Sequence, residues 1–216
     1  MAKPAARDTS DTRDALIDAA TLELAEKGLD SASLDSICAR AGFTRGAFYV
    51  HFADRDELLV AVLDRVLTRY QERLMPDGVA ADLRSTIVRY VAMVGAGDAP
   101  TVGTPSWRFR HTLGAVARVP AVRDKYLALQ QRGAERIARA TRAGQHARTV
   151  RDDIAAETIG EILTVLSLGI SAAVEIGMPL DLLAGGAAIE KLLAPPPRAR
   201  VRAARPPRRA PRTRGR

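Results

Sequence analysis

Between residues 42 and 52 the chain reads GFTRGAFYVHF. Arg45 can fork two hydrogen bonds onto the O6 and N7 of a guanine in a DNA major groove. Thr44, Tyr49 and His51 can donate to phosphate oxygens, contacts that fix a protein's position on a duplex without reading its sequence. Gly46 and Ala47 add almost no bulk, so this surface can come close to DNA. Ser33 and Arg55, at the starts of the helices expected on either side, add dipole-assisted phosphate contacts. Glycines also suit a cofactor loop and a histidine suits a metal site, so the flanking elements have to decide.

Those elements read as helices. Asp14 to Lys27 carries Ile17, Ala20 and Leu24 at spacings of three and four, one helical face, and Gly28 ends it. Ser33 is a good N-cap for SLDSICAR, with Leu34, Ile37 and Ala41 at helical spacing and Asp35 well placed for the helix dipole. Gly42 stops that second helix. Thr44 caps a third running to about Val50, and Asp54 with Glu57 resembles a capping box for a fourth, reaching Leu74. In this arrangement Phe43, Phe48 and Phe52 point inward against Ile17, Leu24, Leu34 and Ile37, and Arg45 and Tyr49 face out. Two short helices across a tight Ala-Gly-Phe turn, the second exposing polar residues near its start, meet the requirements of a helix-turn-helix.

Composition bounds the rest. The hydrophobic fraction of 47% supports a proper core, and the single cysteine, Cys38, allows no internal disulfide. Cys38 reads as a small core residue. The N-terminus lacks an apolar leader, and the run from Ile162 to Val174 falls short of the ~18 to 20 residues of a membrane span, so a soluble, cytoplasmic protein is expected with no membrane partner. The formal charge of +8 is misleading as a nucleic-acid signal, because residues 195–216 hold nine arginines and no acid, and the remainder sums to −1. Residues 1–55 carry seven Lys or Arg against nine Asp or Glu, so bulk charge there does not forecast DNA binding. The arginine-proline tail has the composition of a disordered segment and could bind phosphates without sequence preference.

Beyond Leu74, helical patterns run over Ala80–Val94, Ser106–Val119, Ala121 to about Ala147, Ile154–Ile176 and Leu180–Leu193, and no segment alternates as a half-buried strand would. The fold class is all-α. Glu157 and Glu161 share a helix face but have no Glu-x-x-His partner, and the three histidines are scattered at 51, 111 and 146. No G-x-G-x-x-G, G-x-S-x-G or P-loop is present. Neither an enzyme, a cofactor nor a metal is expected.

Ser33, Ile37, Cys38, Ala41, Gly42, Phe43, Thr44, Gly46, Phe48, Tyr49, His51, Phe52, Arg55 and Leu58, in this ungapped spacing, resemble the N-terminal signature of the TetR family of transcriptional regulators. TRGAFYVHF is most similar to its AcrR-like members. The departures are Ser33 for the usual Thr, Cys38 for Ala, Phe43 for Val and Arg55 for Lys. The resemblance covers roughly residues 12–60 and implies a homodimeric repressor on a pseudo-palindromic operator in double-stranded DNA, released by a small-molecule effector. It implies a flexible arm over 1–10, a helix-turn-helix DNA-binding domain over 11–53, a connecting helix over 54–74 and a helical ligand-binding and dimerisation domain over 75–194, before the disordered tail at 195–216. It also implies that Val122–Gly144 and Ile154–Ile176 form a four-helix bundle across the dimer, with Gly169 and Ser171 where a neighbour could approach. Tyr90, Met93, Trp107, Phe109 and His111 lie on helices that would line the effector cavity, where Arg108, Arg110 and Arg118 could meet an anionic group. A constitutive or protein-partnered DNA binder without an inducer is the alternative, and an all-α enzyme a remote one.

Overall fold

The structure, a computed structural model, describes residues 9–76, 82–97 and 109–196. Among the described residues there are nine helices and no strand: α1 (Thr9–Ser31), α2 (Leu34–Ala41), α3 (Arg45–His51), α4 (Arg55–Leu74), α5 (Leu83–Gly95), α6 (Phe109–Arg118), α7 (Pro120–His146), α8 (Ala156–Glu175) and α9 (Leu182–Leu193). Trp107, Arg108, most of the expected N-terminal arm and nearly all of the arginine-proline tail lie outside the described residues.

Local chemistry sets the helix ends. α1 starts earlier than the apolar spacing suggests, inside the expected arm, with Asp11 in its first turn where a carboxylate favours the positive end of the dipole. Gly28 breaks its regularity as expected, with φ 79° and ψ 173°. Ser33 accepts the Ser36 amide at 3.0 Å, and Thr44 accepts the Ala47 amide at 3.2 Å. Asp54 accepts the Glu57 amide at 2.8 Å, but the Glu57 carboxylate reaches one residue further back than in a capping box, to the Ala53 amide at 2.6 Å.

The first three helices close on one fully buried cluster: Leu16, Ile17, Ala20, Leu24, Ile37, Phe48 and Phe52. Phe48 and Phe52 stack with ring centroids 5.4 Å apart, and the Arg13 guanidinium lies 5.1 Å from the Phe52 ring. α4 joins this cluster through Leu58, Val62, Leu63 and Val66, and the same cluster continues to Val122, Tyr126 and Leu129 of α7. The N-terminal helices and the C-terminal helical domain therefore share α4 as a wall. Ion pairs answer the acidic balance of α1: Arg65 of α4 takes Asp14 and Asp18, Arg40 takes Glu23 at 2.7 Å and Glu26 at 2.5 Å, and Lys27 takes Glu23 at 2.6 Å. The Lys27 ammonium bonded to Glu23 holds that carboxyl below its ordinary range against the opposing effect of burial.

α7 and α8 are the most closely packed pair. Gly160 makes this possible, because a Cβ there would meet the Ala134 carbonyl oxygen of α7 at 2.5 Å, a main-chain atom that cannot step aside. The outer side of α8 is uncovered: Ile162, Val165 and Leu166 are exposed, as are Leu183 and Leu192 of α9. By length and composition α8 is apolar enough to cross a membrane, which the shorter run Ile162–Val174 did not suggest, and only 17% of that window is buried. Gly169 has open space around it, as expected of a site for a neighbour, whereas Ser171 turns inward, buried and donating to the Ser167 carbonyl at 2.7 Å.

Candidate nucleic-acid interface and internal cavity

Gly42 supplies the turn between α2 and α3. Its φ of 75° lies in the left-handed region that a side chain disfavours. There the Gly42 amide donates to the Ala39 carbonyl at 3.2 Å and the Phe43 amide to the Cys38 carbonyl at 2.9 Å. The chain can then reverse in two residues, and Phe43 packs half-buried on the core.

α3 presents the expected surface. Phe48 is fully buried, and Thr44, Arg45, Gly46 and Tyr49 are exposed, with Ala47 and His51 half-buried. Tyr49 stands edge-on to Phe48, centroids 5.2 Å apart, which fixes its ring over the core while its hydroxyl faces out. Val50, 73% exposed on the same short helix, escaped sequence reasoning; an apolar side chain there can meet a thymine methyl group.

Two residues carry ties the sequence did not show. Arg45 pairs through Nε with Asp35 Oδ1 of α2 at 2.6 Å. Both side chains are exposed, and an ion pair so placed is worth ~0 to 1 kcal/mol, less than a good bidentate guanine contact at ~1 to 3 kcal/mol. The pair therefore does not keep Arg45 from DNA. Arg55 donates through Nη2 to the Ala32 carbonyl at 3.0 Å, tying the start of α4 to the residue before the α2 cap. That bond gives Arg55 a structural duty alongside the phosphate contact expected of it, and sets it beside Ser33. Cys38 is buried; desolvation and the nearby Asp35 push its thiol up, so it stays protonated and a poor nucleophile at neutral pH.

A cavity of about 350 Å³ opens between α4, α5, α7, α8 and α9. Its wall is mostly aliphatic, with Leu67, Tyr70, Gln71 and Leu74 coming from α4. Of the residues expected to line it, Tyr90 does, and its hydroxyl donates to the Ser167 carbonyl at 3.0 Å. Met93 and Phe109 are buried but do not line the cavity, and Met93 belongs to the core cluster that also holds Tyr126. His111 is half-buried on α6, which contributes nothing to the cavity wall. Arg110 is on the surface, paired with Glu175, and Arg118 is exposed, so neither furnishes an anion site in the cavity. The sequence signal for the true lining was Leu83, Ile87, Tyr90 and Val91 at helical spacing on α5, facing Gly185 and Gly186 of α9.

Two capped helices joined by a left-handed glycine turn, the second exposing Arg45 and Tyr49 above a buried Phe48, define a helix-turn-helix DNA-binding domain. Residues 16–62 match the family described as bacterial regulatory proteins, tetR family. Residues 16–62 thus carry the N-terminal DNA-binding domain of that family. The HTH-type transcriptional regulator SrpR of Pseudomonas putida is 44% identical over 63 residues, which is 29% of this chain and 30% of that protein. The sequence likeness thus spans less than a third of that relative. The fold likeness is broader. Reduced NemR of E. coli superimposes with a TM-score of 0.70 at 19% identity, over 88% of this chain and 100% of that one. SmeT in complex with triclosan gives 0.63 at 23% identity, over 84% and 88%; SmeT is the repressor of a Stenotrophomonas maltophilia multidrug efflux pump. The C-terminal helices share the architecture of these regulators.

Proposed function

We propose that the chain is a homodimeric transcriptional repressor that reads a pseudo-palindromic operator with Arg45 and is released by an uncharged, largely apolar small molecule held in the internal cavity. The observation that carries this reading is the double role of α4. Its first half, Leu58 to Val66, is core of the DNA-binding domain, and its second half, Leu67 to Leu74, is cavity wall. A ligand that shifts the second half moves the reading head attached to the first. Two heads displaced from their ~34 Å spacing cannot both dock in successive major grooves.

In this reading Ser33, Thr44, Tyr49, His51 and Arg55 position the domain on phosphates, Gly46 and Ala47 allow close approach, and Arg45 reads a base. Residues 11–53 form the reading head, 54–74 the connecting helix and 75–194 the ligand-binding and dimerisation domain. The protein works in the cytoplasm.

Ligand and operator act on linked equilibria, so each must weaken the other by the same factor. Triclosan, which SmeT binds, is a suitable apolar probe. Titrating operator DNA by fluorescence anisotropy with and without it should show weaker binding with it, by about 5- to 150-fold for a typical coupling free energy. Dialysis of triclosan against protein with and without operator should return the same factor. Unequal factors, or triclosan uptake that leaves operator affinity unchanged, would favour a constitutive DNA binder.

The uncovered apolar side chains of α8, one of the two helices expected in a bundle across the dimer, supply the dimer contact together with those of α9. An apolar stripe of this kind calls for a cover, and a second copy provides it by symmetry. Val165, 67% exposed at its centre, tests this. Val165→Glu places two unpaired carboxylates in the interface, and sedimentation should show dimer dissociation raised about tenfold or more. A variant that stays dimeric at the wild-type concentration would put the interface elsewhere.

A further inference from the structure

Asp35 is an odd neighbour for a DNA-reading residue. It stands in the first turn of α2, exposed, on the side of the domain that carries Arg45, and an acid there is repelled by phosphates. Its pair with Arg45 contributes too little to be what holds α2 to α3, a task met by Ile37, Phe43 and Phe48 in the core. Four acids of α1 answer to cations that have structural work: Glu23 and Glu26 to Arg40, Asp14 and Asp18 to Arg65. Asp35 alone of these is matched to the exposed arginine of α3.

The contact closes on Nε at 2.6 Å. The guanidinium is a rigid planar fork, so a carboxylate drawn to its Nε side leaves the Nη1–Nη2 end as the part farther from Asp35. That end is an edge with which arginine can address guanine O6 and N7. A long, otherwise free side chain is thereby biased toward one approach before DNA arrives, which lowers the entropy lost on binding a matching base and disfavours bases that need another.

We propose that Asp35 is a positioning residue that orients the Arg45 guanidinium and so helps determine which base pair the protein accepts. This rests on the reading of Arg45 as the base contact. Asp35 exchanges some general affinity for DNA, through its charge, for discrimination at one position of each half-site.

The test compares full-length wild type, Asp35→Ala, Asp35→Asn and Arg45→Ala. Each is titrated against a duplex selected for tight binding, the same duplex substituted at every base pair, and an unrelated duplex. Asp35→Ala should reduce the penalty for substituting the guanine pair about two- to fivefold, while the unrelated duplex binds several-fold tighter because an acid facing phosphate is gone. Asp35→Asn should fall between, since it keeps an acceptor for Nε without the charge. Thermal melting of both variants should stay within a few degrees of wild type, since the pair is exposed and only the favourable interaction of Asp35 with the α2 dipole is lost. Undiminished discrimination in Asp35→Ala would overturn the proposal. Selected and unrelated duplexes gaining equally in affinity would also overturn it, making Asp35 a charge brake alone. Arg45→Ala with base preference intact would instead remove the reading on which the proposal stands.

Discussion

Arg45→Ala is expected to weaken operator binding by roughly 2 to 6 kcal/mol, the loss of a bidentate guanine contact at ~1 to 3 kcal/mol in each of two half-sites. The structure makes this a clean substitution. Arg45 is exposed, its pair with Asp35 is solvent-screened, and it lies outside the buried cluster, so the fold should melt as wild type does. Binding to unrelated DNA should fall much less, by the loss of one phosphate-attracting charge per half-site, and the salt dependence should flatten slightly. The diagnostic is the pattern across base pairs. Titrations against operators substituted one position at a time should show wild type penalised at the guanine pair and the variant indifferent there. A variant whose preference at every position matches wild type would show that another residue reads the sequence.

The second large effect is on stability. Phe48 is fully buried, stacked on Phe52 and edge-on to Tyr49, in the core that positions the whole of α3. Phe48→Ala should cost about 3 to 5 kcal/mol, the usual range for removing a buried aromatic ring. Because α3 is a short helix with no stability of its own, the loss should fall on the reading head first. Hydrogen exchange should show amides of α1, α2 and α3 losing protection while those of α7 and α8 keep theirs, and DNA binding should fall for operator and unrelated duplex alike. Wild-type protection in α3 would mean that Phe52 and the α4 face suffice to hold it.

The reading head was legible in the sequence because its determinants are local. Ser33 and Thr44 cap helices that start immediately after them, Gly42 sits where a left-handed residue is needed, and the spacing of Phe43, Phe48 and Phe52 places all three against the core. The same local logic placed Gly28 at the break in α1 and assigned the later helices to within a few residues. Features that depend on which distant faces meet were not legible. Met93 and Tyr90 are three residues apart on one helix, yet Tyr90 lines the cavity and Met93 is buried in the core without reaching the cavity wall. Ser171 is likewise buried, its hydroxyl bonded back to the Ser167 carbonyl of its own helix and not turned toward open space. The Asp35–Arg45 and Arg55–Ala32 ties link residues far apart in sequence, with no periodicity to announce them. Arginines 110 and 118 had the chemistry for an anionic ligand but stand on α6, away from a cavity whose wall is aliphatic.

The acidic balance of residues 1–55 needed the structure too. Four of those nine carboxylates, Asp14, Asp18, Glu23 and Glu26, are paired with Arg40, Lys27 and Arg65 within the domain. Net charge counts these four in full, whereas a phosphate approaching α3 meets them already paired. Specific contacts and not bulk field must therefore supply the affinity of the reading head.

The central claim is that α3 reads DNA, and the most direct measurement is selection of genomic fragments at physiological salt by the full chain and by a version ending at Ala194. The account predicts that both enrich one palindrome whose half-site centres lie about one helical turn, or a multiple of it, apart. Retention of DNA by the full chain alone, with no sequence shared among the fragments, would contradict it and make the arginine-proline tail the binding element.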